Sequence, residues 1–254
     1  RETGIDGFRA DVAAKVPTAF WEQTRAELDK IKPVFMLAEA SQPDLHGAFD
    51  MTYGWDTLGI FKDIAKGKLD ARALRGFLAQ PPAPYPDSAY RMRFTSNHDE
   101  NSWHASDTEN YGPAFKAMAV LAATLPGMPL IYGGQEAGFD KRLAFFEKDP
   151  IAWRGYPYAS FYAGLLKLKH DNRALWNGQY GAPVQVLDTG KSPSRHWSRW
   201  TARRRRIGRC TSARPAKVGY ACSPRRRARA ARRWGGFASA CWTPWGSRSS
   251  SPAW

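Results

Sequence analysis

Three acidic residues each follow a segment that has the pattern of a β-strand: Asp11, Glu39 and Asp99. Arg9 precedes Asp11 by two positions, and side chains two apart lie on the same face of a strand. A guanidinium beside Asp11 would keep that carboxylate charged, as a carboxylate nucleophile requires. An isolated Arg-x-Asp pair is more often a structural ion pair. Glu39 and Asp99, at two further strand ends, favour a catalytic interpretation.

Glu39 follows the continuous apolar run 34–38, which is typical of a strand buried on both faces. The neighbouring Met36 and Leu37 would favour the uncharged form of the Glu39 carboxyl, which suits a general acid. Adjacent parallel strands are ~4.8 Å apart. If the two strands pair, we expect the carboxyl groups of Asp11 and Glu39 to lie close together.

The rest of the chain alternates between strand and helix patterns. Strands are predicted over 4–13, 34–38, 48–53, 90–96 and 128–132, and helices over 18–32, 58–65, 71–78, 113–125 and 160–170. This rhythm predicts an α/β fold with a parallel sheet, in which chemistry takes place at the carboxyl ends of the strands. Residues 181–188 are predicted to form one isolated strand.

Charge is distributed unevenly along the 254 residues, whose formal net charge is +15. From Lys191 onward the sequence has about 17 Lys and Arg residues and no Asp or Glu, so residues 1–190 carry a charge of about −2. All three cysteines lie in this basic tail, so the body has no disulfide and no thiolate metal site. No apolar run reaches the ~20 residues of a membrane span.

The basic tail, residues 191–254, has three interpretations. It could be an Arg-rich arm that binds nucleic acid, a disordered extension, or an out-of-frame translation of a GC-rich gene. The wealth of Arg, Ala, Gly, Pro, Trp and Cys favours the third. At the other end, Arg1 stands directly before a predicted core strand, so we expect the natural protein to begin further upstream.

Four motifs in this order resemble those of the α-amylase family, glycoside hydrolase family 13. They are Gly-Phe-Arg-Ala-Asp at 7–11, Glu39 after its apolar strand, Phe-Thr-Ser-Asn-His-Asp at 94–99 and the segment 128–136. The resemblance implies a partial (β/α)8 TIM barrel over residues 1–175, containing strands four to eight. The start of a C-terminal β-sandwich would follow at 176–190, and then the irregular basic tail 191–254. The first three strands would lie upstream.

The resemblance also implies roles for the motif residues. Asp11 would be the nucleophile, Glu39 the acid/base and Asp99 the third catalytic carboxylate, while Arg9, His98 and Asn97 would contact substrate. The implied reaction is retaining hydrolysis of α-1,4-glucosidic bonds in starch or maltodextrins, and the fragment itself is expected to be inactive. Three alternatives stay open: a transglycosylase, a branching enzyme, and a non-catalytic fragment whose tail binds nucleic acid non-specifically.

The expected partner is an α-glucan, with no membrane and no specific nucleic acid. No cofactor is expected in this chain, although calcium could bind through residues outside it. Secretion or a periplasmic location is compatible with the resemblance, and localisation stays open. Tyr53, Trp55 and Trp103 could stack on sugars or pack in the core. His46, His104 and Glu136 are expected to be polar loop residues, Glu136 either lining the site floor or holding backbone amides.

Overall fold

The computed structural model describes residues 2–80, 84–153 and 155–187, and the predictions made for the tail 191–254 lie outside them. The strands of this part of the chain are β1 (Gly7–Ala10), β2 (Phe35–Ala38), β3 (Met51–Tyr53), β4 (Tyr90–Arg93) and β5 (Met128–Pro129). The α-helices are α1 (Thr18–Asp29), α2 (Trp55–Ala65), α3 (Ala71–Ala79), α4 (Asp107–Tyr111), α5 (Phe115–Thr124) and α6 (Ala159–Asp171).

The strands form one parallel sheet in the order β1-β2-β3-β4-β5. Each strand therefore pairs with its neighbour in sequence, as in one arc of a (β/α)8 barrel. Within the described residues, β1 has a strand partner on one side, β2, and β5 likewise pairs with β4 alone. The predicted α/β architecture is confirmed.

The two faces of the sheet are covered differently. On one face, Met36 and Ala38 pack with Trp21 and Leu28 of α1. The opposite face carries a second apolar cluster, whose buried members are Met51, Tyr53, Leu58, Met92 and Phe94. Because side chains alternate along a strand, Arg9 shares this second face with its register partner Leu37. The charged end of β1 is thus directed to the face opposite α1.

Helix boundaries follow local signals in the sequence. Pro17 stands directly before α1, and Pro33 follows its end, as predicted. Helix α4 begins with a capping box in which Ser106 and Glu109 exchange hydrogen bonds. The Ser-x-x-Glu spacing is the sequence signal of α4. This helix lies before the predicted helix 113–125 and was not predicted. None of the described helices has the length and apolar character needed to cross a membrane.

The strand predicted over 181–188 is wrong for the residues that can be judged. Residues 181–187 have no strand geometry, and Asp188 lies outside the described part of the chain. A β-strand requires a partner for its backbone groups. Here the segment instead follows a short 3₁₀ turn, and the N–H of Ala182 donates to the carbonyl of Ala174 at 2.9 Å.

Candidate active site

Arg9 and Asp11 meet at the carboxyl end of β1, as the strand spacing predicts. Nη1 of Arg9 donates to Oδ2 of Asp11 at 2.5 Å. The side chain of Asp11 is 70% exposed, so the carboxylate is open to a molecule that approaches from solvent. A charged and accessible carboxylate held by a permanent cation has the attributes of a nucleophile.

Glu39 contacts the same guanidinium. Nη2 of Arg9 lies 3.1 Å from Oε2 of Glu39, whose side chain is mostly buried. Pairing of β1 with β2 sets this position, because the N–H of Glu39 donates to the carbonyl of Ala10 at 2.9 Å. Since one planar guanidinium touches both groups, the contacted oxygens of Asp11 and Glu39 are at most about 8 Å apart.

The surroundings of Glu39 are more polar than its apolar strand predicts. Its Oε2 accepts a hydrogen bond from the backbone N–H of Val12 at 2.8 Å in addition to the contact with Arg9. Met36 belongs to the buried cluster against α1, on the face of β2 opposite Leu37. Alternation along the strand therefore directs Leu37, and not Met36, to the side of Glu39.

Tyr53, at the end of β3, contacts Arg9 and lies within the electrostatic influence of Asp99. Its hydroxyl accepts a hydrogen bond from Nε of Arg9 at 3.4 Å. Burial raises the pKa of the Tyr53 phenol, Arg9 opposes that rise, and the charges of Glu39 and Asp99 add to it. Burial alone would lower the pKa of Arg9, but hydrogen bonds to Tyr53 and Asp11 and the charge of Glu39 raise it, so the guanidinium stays charged. The phenol thus lies in the field of Glu39, Asp99 and Arg9.

Asp99 and its neighbours follow β4. Nε2 of His98 lies 3.3 Å from Oδ2 of Asp99, and both side chains reach solvent. Asn97, in contrast, is 2% exposed, and its Oδ1 accepts from the N–H of Glu100 at 2.8 Å. Asn97 therefore supports the π-helical turn Glu100–His104 behind Asp99 and does not face solvent as His98 does. Its buried Nδ2 has no hydrogen-bond partner within the described residues.

The weaker candidates divide into packing and surface residues. Trp55 packs on Tyr53 and Phe94 in the core. His46 is held by the carbonyl of Phe49 and the hydroxyl of Thr52. Glu136 accepts a hydrogen bond from the N–H of Gly134, and His104 pairs with Glu100. Trp103 lies on the surface. In the described residues, no three His, Cys, Asp or Glu side chains converge as a metal site would require.

Some residues in or beside the site were absent from the prediction: Val12 contacts Glu39, Asn101 binds the loop at 141–143, and Phe145 stacks on His98. Val12 adopts a left-handed backbone conformation that directs its amide to Glu39, and nothing in the sequence indicates this conformation. Asn101 and the pair Phe145–Phe146 do have a sequence signal, an amide in the segment after Asp99 and two adjacent aromatics in a charged loop. Chemically, the site combines an accessible carboxylate, a second carboxylate on the adjacent strand and a shared cation. That set can perform nucleophilic substitution with general acid assistance.

No model of a known protein family matches the chain. It is 32% identical to α-amylase MalA of Haloarcula japonica over 179 residues, which are 67% of this chain and 26% of that protein. It is 28% identical to the 4-α-glucanotransferase of Thermotoga maritima over 60% of this chain and 36% of that enzyme. The crystal structure of the maltogenic α-amylase AmyB from Thermotoga neapolitana superposes with a TM-score of 0.60 and 30% identity, over 68% of this chain and 41% of AmyB.

The chain therefore spans between about a quarter and two fifths of the length of these relatives. The superposition with AmyB agrees with the parallel α/β sheet of the described residues. The chain belongs to the α-amylase family, glycoside hydrolase family 13, and forms part of a (β/α)8 barrel.

Proposed function

We propose that the barrel to which this chain contributes is a retaining α-glucan hydrolase that cleaves α-1,4-glucosidic bonds of starch or maltodextrins. The observation that carries the proposal is the contact of Arg9 with both Asp11 and Glu39. It brings two carboxylates on adjacent strands to one cation, where a glycosidic linkage could lie between them. The amylases among the relatives support the substrate class.

In the proposed reaction, a carboxylate oxygen of Asp11 attacks the anomeric carbon while Glu39 gives its proton to the departing glycosidic oxygen. A glycosyl ester on Asp11 results. Glu39, now ionised, removes a proton from water, and the water oxygen displaces Asp11 to release the sugar with its original configuration. Asp99 and His98, on the neighbouring exposed surface, would bind hydroxyl groups of the reacting sugar.

The position of Glu39 accounts for both of its proposed tasks. Val12 N–H and Arg9 both contact Oε2. These contacts fix the orientation of the carboxyl group and leave Oε1 free of them to carry a proton toward the glycosidic oxygen. Retaining enzymes hold their two carboxyl groups ~5–5.5 Å apart, and inverting enzymes ~6.5–9.5 Å. Attachment to adjacent strands and to one guanidinium favours the shorter separation.

By itself, the 254-residue chain is proposed to be inactive. An eight-stranded barrel is closed by hydrogen bonds between neighbouring strands. Among the described residues, β1 and β5 each leave one edge without such a neighbour. Arg9 and Asp11 lie at the end of β1, so the surface beyond that strand would have to be completed before a glucan could be enclosed.

The test is a segment-exchange protein, in which residues 2–187 replace the matching part of Thermotoga neapolitana AmyB. We expect hydrolysis of maltodextrin, with Asp11→Asn and Glu39→Gln each lowering kcat by at least about 1,000-fold. Glu27→Gln, on the exposed face of α1, is the matched control and should leave kcat unchanged. Activity near that of the parent in either catalytic variant would refute the assignments. Proton NMR of the first product should show the α-anomer.

The second candidate is an α-glucan transglycosylase or branching enzyme with the same catalytic residues. The similarity to the 4-α-glucanotransferase of Thermotoga maritima supports this second candidate. In both candidates the glycosyl ester on Asp11 forms, and the acceptor that resolves it differs. The ratio of transfer products to new reducing ends, measured at high maltotriose concentration, distinguishes them: a hydrolase gives mostly reducing ends.

A further inference from the structure

Three exposed aromatic side chains lie in mutual contact near His98. Trp103, Phe145 and Phe146 are 54%, 42% and 82% exposed. Ring centroids are 4.8 Å apart for Trp103 and Phe145, 5.8 Å for Trp103 and Phe146, and 5.0 Å for Phe145 and Phe146. We call these three residues the aromatic platform. Large aromatic surface left in contact with water points to a ligand.

The aromatic platform is built on hydrogen-bonded backbone. Asn101 belongs to the same π-helical turn as Trp103 and is buried. Its Nδ2 donates to the carbonyl of Lys141 at 2.8 Å, and its Oδ1 accepts from the N–H of Leu143 at 2.9 Å. The N–H of Ala144 donates to Asp149 at 3.1 Å. The loop that carries Phe145 and Phe146 is therefore fixed to the turn that carries Trp103.

The aromatic platform is continuous with the candidate active site. The ring of His98 stacks on Phe145, with a centroid distance of 6.3 Å and an interplanar angle of 24°. The same His98 lies 3.3 Å from Asp99. A ligand bound near Asp99 would thus meet His98 first and then the three aromatic rings.

The chemistry of the aromatic platform and its polar neighbours fits a sugar ligand. A pyranose ring has an apolar face of C–H groups, which packs on an aromatic face, and an edge of hydroxyls, which needs polar partners. His98 and Asp99 provide polar partners at one end of the platform, and the rings provide the apolar surface. Resting on the proposed function, we propose that the aromatic platform binds glucose units of an α-glucan chain beyond the sugar held at Asp99.

The proposal is tested by isothermal titration of the full 254-residue chain with maltoheptaose. We expect Trp103→Ala and Phe146→Ala each to weaken binding by about 3- to 10-fold. The control is Phe20→Ala, which removes an exposed aromatic from α1 and should leave the affinity unchanged. Circular dichroism confirms that the variants fold. The proposal would be overturned if Trp103→Ala and Phe146→Ala bind maltoheptaose with an affinity within twofold of the parent. It would also be overturned if the parent chain does not bind maltoheptaose.

Two further outcomes keep this inference distinct from the proposed function. If Asp11→Asn and Glu39→Gln abolish hydrolysis in the segment-exchange protein while Trp103→Ala and Phe146→Ala bind as the parent does, the aromatic platform alone is refuted. If those carboxylate variants stay active while the aromatic variants lose affinity, the platform stands and the catalytic roles fall. Self-association of the chain that Phe146→Ala abolishes, without glucan binding, would assign the platform to a protein contact and overturn the proposal.

Discussion

The backbone N–H of Val12 donates to Oε2 of Glu39 across 2.8 Å, between the ends of β1 and β2. Val12 adopts φ 44° and ψ 42°, in the left-handed region that β-branched residues rarely enter. The residue directly after the proposed nucleophile is thus held in a strained conformation, and its amide contacts the proposed acid/base. Such strain is typical of functional sites.

We expect Val12→Gly to raise the free energy of unfolding by about 1 kcal/mol, because glycine removes the left-handed strain and retains the N–H. The side chain of Val12 is exposed, so little packing is lost. Urea titration of the full chain measures the change. The matched control is Val120→Gly in α5, where a helical glycine should lower stability. A loss of stability in Val12→Gly would show that Val12 is not strained.

Arg9 offers a second prediction, because it contacts Asp11, Glu39 and Tyr53 through three different nitrogens. A lysine ammonium keeps the charge but cannot reproduce the planar fork. We expect Arg9→Lys to lower kcat/KM of the segment-exchange protein by about 10- to 100-fold, the loss of one charge-assisted hydrogen bond.

The control for Arg9→Lys removes a guanidinium elsewhere. Arg25 of α1 also contacts two carboxylates, those of Asp29 and Asp50. Arg25→Lys should reduce stability and leave kcat/KM unchanged. Equal kinetic losses in both variants would mean that Arg9 acts through folding and not through its place between Asp11 and Glu39.

The sequence predicts those features that depend on local pattern. An apolar run ends at Glu39, and buried parallel strands produce that pattern. The contact of Arg9 with Glu39 depends instead on the register of β1 and β2, which pairs Ala10 with Ala38 across 28 positions. No local signal specifies that register. The failure of the strand at 181–188 has the same origin, since alternation does not reveal whether a partner strand is present.

Asp107 shows a burial that the sequence also does not reveal. Its Oδ2 accepts from Nε2 of Gln135 at 2.7 Å, while its buried Oδ1 has no partner in the described part of the chain. Burial raises the pKa of the Asp107 carboxyl from 3.8 to about 6, the bond from Gln135 opposes that rise, and the charge of Asp140 adds to it. In folded chains the group therefore keeps its proton to higher pH than in unfolded chains.

This difference predicts a stability that falls as pH rises from about 4 to about 6 and is then constant, because between these values the folded state binds more protons than the unfolded state. Asp107→Asn should remove this slope and be more stable at pH 7, by up to about 3 kcal/mol. Urea titrations at pH 4, 5, 6 and 7 test it. The exposed Asp63→Asn is the control and should keep the parental slope. An unchanged slope in Asp107→Asn would contradict the prediction.

Gly127 lies in the turn between α5 and β5. Its φ is +127°, and a Cβ at this position would lie 2.2 Å from the carbonyl oxygen of Arg91 in the adjacent strand. Gly127→Ala should therefore lower the free energy of unfolding by about 3 kcal/mol or more, since backbone must move. Gly76→Ala, in α3 with open space around it, should raise that free energy by about 0.5–1 kcal/mol. Urea titration compares the two, and equal effects would show that β5 does not depend on the close approach of Gly127 to β4.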